Sequence, residues 1–231
     1  MPTLTVIAGE NGAGKSTLVQ ARKLRTIDPD QLTRAQGRGF GNAANVGGAR
    51  AALQAQEQAL ALRQSYGVDT TLSARQPLTL MDRARAQGYD MHLAFVIPHP
   101  GEDTRLRIDN RVLQGGHNIS DKDLKRRFPR ILEHLPEAMK RADIVALYVS
   151  AEKSSDFVMV GAMHQGQLTV TPQLPAQSEL FLKASFRRCR LPKVWAVPTP
   201  SHGNLARASS AIQKPDPRHE ITFSRIRVFF F

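Results

Sequence analysis

Leu4-Thr5-Val6-Ile7-Ala8 is a short apolar, β-rich run closed by glycine, a pattern that predicts a buried strand. Ser16 to Lys23 then predicts a helix, and Thr26-Ile27-Asp28-Pro29-Asp30 a short extended piece stopped by proline. Asn45 to Ser65, rich in Ala, Leu and Gln, predicts a long helix, and the β-branched Val68 to Leu72 a second core strand. Pro77 to Gln87 follows as a helix with proline in its first turn, and Asp90 to Ile97 as a third strand. Thr104 to Leu113 and Asp121 to His134 predict helices, the second interrupted at Pro129. Asp143 to Val149 predicts another strand, and Asp156 to Met163 with Gln167 to Val170 a hairpin across His164-Gln165-Gly166. Strands alternating with helices predict an α/β fold: a parallel sheet with helices on both faces.

Composition bounds this picture without changing it. The chain has 231 residues, enough for one domain with a sizeable core and an appendage. Its 41% hydrophobic content excludes a fully disordered chain. No apolar run approaches the ~18 residues of a membrane span, and Phe229-Phe230-Phe231 is far too short to be one. The run Met1 to Ala8 lacks the basic head, length and cleavage site of a secretory signal. Cys189 is the single cysteine, so an internal disulfide or a cysteine metal cluster is excluded, and a reducing cytoplasm is the expected compartment.

Charge does alter the picture. The net charge is +12, which invites a nucleic-acid reading. Residues 181–231, however, hold 10 basic and 2 acidic residues, against 22 and 18 in residues 1–180. Two thirds of the excess sits in the last stretch, and the composition shifts near Pro172–Pro175. This predicts a main domain over residues 1–175 and a basic extension over 176–231, loop-like, with one strand-like run from Glu220 to Phe231. The extension matches no nucleic-acid-binding motif.

Gly9-Glu10-Asn11-Gly12-Ala13-Gly14-Lys15-Ser16 fits the phosphate-loop pattern G-x-x-x-x-G-K-[ST], with a strand before it and a helix after. Gly9, Gly12 and Gly14 let the backbone wrap close to a phosphate, so that N–H groups from Asn11 to Thr17, Ala13 among them, can face it. The next helix adds its positive end, Lys15 can reach the β- and γ-phosphates, and the Ser16 hydroxyl can ligate Mg²⁺. A nucleotide, ATP with Mg²⁺, is the expected ligand. The loop itself leaves hydrolase and kinase open.

A kinase also needs a carboxylate for the acceptor hydroxyl and cations for the transferring group. Asp28 and Asp30 follow the first helix, either beside the phosphate loop as catalytic groups or, for Asp30, as the cap of Gln31-Leu32-Thr33. Asp69-Thr70-Thr71-Leu72-Ser73 ends the second strand, where open α/β sheets bind ligands; Asp69 is equally readable as a contact for the acceptor or a Mg²⁺ water, or as a cap, with Ser73 a rival for the last. Arg111, and then Lys125-Arg126-Arg127 with Arg130, flank Gly115-Gly116-His117. They are either a closing lid or a solvated basic helix face. Neither His117 nor Cys189 has partners at ligand or catalytic spacing, and neither is assigned a role.

Taken together, these segments resemble the zeta toxin family of P-loop kinases, with agreement in spacing from about residue 3 to about residue 150. The block Arg111-Val112 with Gly115-Gly116-His117, followed by Arg126-Arg127-Phe128-Pro129, is its most specific part. The resemblance implies ATP-dependent transfer of the γ-phosphoryl group to a sugar hydroxyl of a nucleotide sugar such as UDP-N-acetylglucosamine, and an antitoxin protein as partner. Position by position, Lys15 and Ser16 match the phosphate and Mg²⁺ residues, Asp30 the catalytic carboxylate, Arg111 the first lid arginine, and Arg126 or Arg127 the second. Asp28, Asp69, Thr70 and Ser73 fall where the acceptor binds, and the lid spans about 104–134. There are departures. Asp69 stands where the family often has glutamate, Glu10 where many relatives have proline, and Ser150-Ala151-Glu152-Lys153-Ser154 where many have an Asp-Asn-Ser-like segment. A small-molecule kinase is therefore the leading expectation, with no nucleic-acid or membrane partner. The alternative is a nucleic-acid-associated P-loop ATPase or polynucleotide kinase that uses the basic tail.

Overall fold

The computed structural model describes residues 1–35, 42–98, 104–113, 119–150, 157–164, 167–170, 195–196, 222–223 and 226–227. The Gly115-Gly116-His117 block, the 151–154 departure, Cys189 and nearly all of the basic extension lie outside the described residues.

Strands β1 (Thr3–Gly9), β2 (Thr26–Ile27), β3 (Tyr66–Thr70), β4 (Asp90–Ile97), β5 (Ile144–Ser150), β6 (Phe157–His164), β7 (Gln167–Val170) and β8 (Trp195–Ala196) form one sheet among the described residues, in the order β2-β3-β1-β4-β5-β6-β7-β8. From β2 to β5 every pairing is parallel, as the β/α alternation predicts. β6 and β7 then run antiparallel as the expected hairpin, and β8 lies parallel to β7, so the sheet is mixed rather than wholly parallel. β9 (Thr222–Phe223) and β10 (Ile226–Arg227) pair antiparallel, so the described part of the run read as one terminal strand is two short strands.

Between the strands lie α1 (Lys15–Ala21), α2 (Pro29–Ala35), α3 (Asn42–Ala61), α4 (Gln76–Ala86), α5 (Thr104–Leu113) and α6 (Asp121–Arg141). Alternation along the strands splits the core into two layers. Leu4, Val6, Leu93, Phe95, Val145 and Leu147 meet Leu60 of α3, Leu78 and Met81 of α4, and Ile131 and Leu135 of α6. Ile7, Ala94, Val96, Ala146 and Tyr148 face the other way, against Leu18 and Val19 of α1. Desolvation beneath α1 pushes the Tyr148 phenol up to about 12, as expected of dry packing there. β1 sits between β3 and β4 at the centre of the parallel part, so its carboxyl end opens at the point where the connections diverge.

Helix α6 departs from expectation, for it runs unbroken through Pro129 and Pro136. An interior proline costs ~3 kcal/mol. Against this, Ile131, Leu135 and Met139 are buried, at ~1.5–3 kcal/mol each. The Ser120 hydroxyl accepts from the Asp123 N–H at 3.1 Å, and Lys140 and Arg141 complement the other end. The turn before Pro129 is exposed, so water can serve the carbonyl that proline leaves without a donor.

α2 also begins earlier than predicted. Pro29, with its fixed φ and missing N–H, takes the first helical position. The Leu32 N–H bonds to the Asp28 carbonyl at 3.1 Å, so Asp28 precedes the helix and Asp30 lies inside it. The capping place predicted for Asp30 thus belongs to Asp28. β3 stops at Thr70, short of the predicted Leu72, because Leu72 adopts a left-handed φ of 60°.

Candidate functional site

The chain leaves β1 at Gly9, whose φ of 149° is one that side chains rarely adopt; a β-carbon there would also strike the Val96 carbonyl of β4. Gly14 (φ 97°) is the N-cap of α1 and carries no side chain to occupy the first turn's N–H groups. Between them the loop is tied by the Ala13 N–H to the Glu10 carbonyl at 3.2 Å, and α1 begins with the Leu18 N–H bonded to the Gly14 carbonyl at 3.0 Å. The loop has the backbone shape expected of a phosphate cradle, with Asn11, Gly12 and Ala13 at its turn. The Ser16 side is exposed, whereas Ala13 is fully buried under the loop.

Lys15 is only 9% exposed. Its Nζ donates to the Glu10 carbonyl at 3.1 Å and lies 3.7 Å from Asp69 Oδ1. Register explains the second contact: Asp69 pairs with Ile7, two residues before Gly9, at the carboxyl end of the adjacent strand. Burial pushes the Glu10 carboxyl up from its ordinary range, and the neighbouring Lys15 ammonium pulls it partly back.

Two guanidinium groups reach the loop from the predicted lid. Arg127 Nη1 of α6 donates to Asn11 Oδ1 at 3.2 Å. Arg107 Nη1 of α5 donates to the Gly12 carbonyl at 3.2 Å and meets Ser150 Oγ of β5 at 3.5 Å. Desolvation pushes the Arg107 pKa down. Arg126 instead pairs with Asp123 at 2.6 Å on the exposed side of α6. Of the two arginines left as alternatives by sequence, it is Arg127 that faces the loop. Arg107 was not anticipated; the signal was its i, i+4 relation to Arg111, which puts both on one face of α5.

The segment expected to meet the acceptor follows the end of β3. The Leu72 N–H donates to Thr70 Oγ1 at 3.0 Å, and the hydroxyls of Thr71 and Ser73 bond at 2.8 Å. The buried His134 of α6 contacts the Leu72 carbonyl through Nδ1 at 2.8 Å, another contact that sequence reasoning missed. Asp28 emerges one residue beyond the register row Ile27–Val68–Val6, at the same sheet edge as Asp69 but two strand spacings, about 10 Å, from β1. For Asp30 and Arg111 the described part is the backbone, which places them within α2 and α5.

One carboxyl edge of the sheet thus carries a phosphate loop, its lysine, two guanidinium groups and a hydroxyl-rich loop. The sequence model of the zeta toxin family matches residues 1–159. The chain belongs to the zeta toxin family. The matched stretch takes in the phosphate loop and the arginine-bearing helices α5 and α6. An uncharacterized Haemophilus influenzae protein is 28% identical over 123 residues, 52% of this chain and 88% of that protein. Among solved structures, a chain of the AvrRxo1-ORF1:-ORF2 complex with ATP aligns with a TM-score of 0.62 at 16% identity, over 84% of this zeta toxin family chain and 66% of that one. This chain therefore spans just under two thirds of that relative. The PezAT chromosomal toxin-antitoxin system of Streptococcus pneumoniae aligns with a TM-score of 0.50 at 18% identity, over 68% of this chain and 71% of that one. At such identities the likeness is one of fold. Among the described residues no helix is long and apolar enough to cross a membrane.

Proposed function

We propose that this protein is an ATP-dependent kinase that transfers the γ-phosphoryl group to a sugar hydroxyl of a nucleotide sugar such as UDP-N-acetylglucosamine. The observation that carries the proposal is that Lys15, Arg107 and Arg127 all contact residues of the phosphate loop, with Asp69 of the neighbouring strand beside Lys15. Lys15 binds the β- and γ-phosphates once they displace it from the Glu10 carbonyl. Asp30 orients the acceptor hydroxyl and takes its proton. Arg111 and Arg127 close over the transferring group, and the Arg126–Asp123 surface pair argues for Arg127 as the second lid cation. Thr70, Ser73, Asp69 and Asp28 contact the acceptor.

The residues at the start of α1 fit Mg²⁺: the Ser16 hydroxyl is exposed there, and the Asp69 carboxylate stands on the same edge. Mg²⁺ bound with the phosphates would supply charge neutralisation, Ser16 being its protein ligand.

Residues 1–175 act as the kinase domain, with a lid over about 104–134 and the basic stretch 176–231 as an extension, in a cytoplasmic protein. An antitoxin protein is the proposed partner. The PezAT toxin-antitoxin system and the AvrRxo1-ORF1:-ORF2 complex support a protein partner by analogy. The test is to incubate the full chain with ATP–Mg²⁺ and a panel of nucleotide sugars, nucleosides, NAD and oligonucleotides, following transfer by ³¹P NMR. Product with a nucleotide sugar supports the assignment; product with an oligonucleotide alone would replace it with a polynucleotide kinase.

A further inference from the structure

Leu72 is a γ-branched, fully buried residue held at φ 60°, in the left-handed region that bulky side chains avoid. Such a conformation persists only where its surroundings over-determine it. Here the determinants are visible. The Leu72 N–H is taken by Thr70 Oγ1, and the residues on either side are tied through their hydroxyls. The group left over is the Leu72 carbonyl, and it meets His134 Nδ1 at 2.8 Å in the interior. A carbonyl only accepts, so Nδ1 carries the hydrogen.

We propose that His134 is a positioning residue for the phosphoryl acceptor: its Nδ1–H holds the Leu72 carbonyl and so fixes the Thr70–Ser73 loop in the shape that receives the acceptor hydroxyl. This rests on the assignment of that loop to the acceptor in the proposed function. A buried histidine satisfied by a backbone carbonyl is ordinary; the strain at the carbonyl it holds, and the place of that carbonyl in the loop, are not. His134 also lies seven residues, two turns, after Arg127 on the same face of α6. One helix therefore contacts the phosphate loop through Arg127 and the acceptor loop through His134, and its setting fixes the two halves of the site relative to each other.

Two substitutions in the full chain separate the donor from the packing. His134→Leu keeps an apolar side chain of similar bulk but has no donor; His134→Asn keeps an N–H near the position of Nδ1. The expectation is that His134→Leu lowers kcat/KM for the acceptor roughly tenfold or more while the ATP Kd stays within about twofold, and that His134→Asn recovers most of the loss. Equal impairment of the two variants, no impairment, or a parallel loss of ATP affinity would each overturn the proposal. Amide hydrogen exchange at Leu72 and Ser73 keeps this test separate from the kinase assignment. If the wild type phosphorylates no acceptor, the kinase assignment fails, and exchange alone decides the role of His134. Exchange that is faster in His134→Leu than in His134→Asn supports it; unchanged exchange refutes it.

Discussion

Lys15 Nζ lies 3.7 Å from Asp69 Oδ1, and both side chains are largely shielded from water. A buried cation on the phosphate loop is thus balanced by a carboxylate of the neighbouring strand. Incoming phosphates compete with that carboxylate for the ammonium, so the two residues should respond oppositely to substitution. Lys15→Ala should weaken ATP binding roughly 10- to 100-fold, the worth of a hydrogen bond to a charged group. Asp69→Asn should leave ATP binding equal or tighter while slowing acceptor phosphorylation. Calorimetric ATP titration beside a transfer assay reads both; a parallel loss of ATP affinity in the two variants would contradict the competition.

Arg126 and Arg127 are adjacent in sequence and differ in what they touch. Arg127 reaches Asn11 of the phosphate loop, whereas Arg126 is engaged with Asp123 at the surface. Single-turnover transfer should fall by about 10² or more in Arg127→Ala, a loss of the size expected for a cation aimed at the transferring group. Arg126→Ala should stay within about threefold of wild type, since exposed i, i+3 pairs are worth little. The reverse order would reassign the lid arginine.

Much of this site was legible along the chain because its determinants are local. The glycines, Lys15 and Ser16 occupy consecutive positions, and the strand before them is fixed by its own apolar run. The contacts that escaped notice are tertiary. His134 meets Leu72 across 62 residues, and Arg107 meets Gly12 across 95. Pro129 misled for the opposite reason. A local breaker was outvoted by burial of Ile131 and Leu135 further along α6, which only packing against α4 and the sheet creates. At Asp30, Pro29 moved the helix start by two residues, a shift within the ordinary uncertainty of helix ends.

Gly9 joins β1 to the loop with no room for a side chain. Gly9→Ala adds a β-carbon against the Val96 carbonyl at a φ of 149°. The expected cost is ~2 kcal/mol or more, or about 4–8 °C in Tm for a chain of this size. Thermal denaturation of the purified variant checks this, and an unchanged Tm would mean that the strand end yields freely.

Burial gives Glu10 a pH dependence whose sign follows from its surroundings. Its folded pKa is raised, mainly by burial, so the folded state favours the protonated acid. The stability it contributes is present at low pH and is lost as pH rises through the raised folded value. At neutral pH, Glu10→Gln should therefore raise Tm and tighten ATP binding a few-fold by removing a negative charge beside the phosphates. The gap in Tm between wild type and variant should close as pH falls below the ordinary carboxylate range. A gap that widened with acidification would reverse the sign and contradict the burial argument.

The central claim, a kinase acting on a sugar hydroxyl, is tested most directly by Asp30→Ala. The measurement is ³¹P NMR of phosphoryl transfer from ATP to UDP-N-acetylglucosamine, with ATP affinity determined on the same samples. The account predicts a phosphorylated sugar nucleotide with wild type, none with the variant, and ATP binding retained in both. Equal turnover by wild type and Asp30→Ala would contradict it.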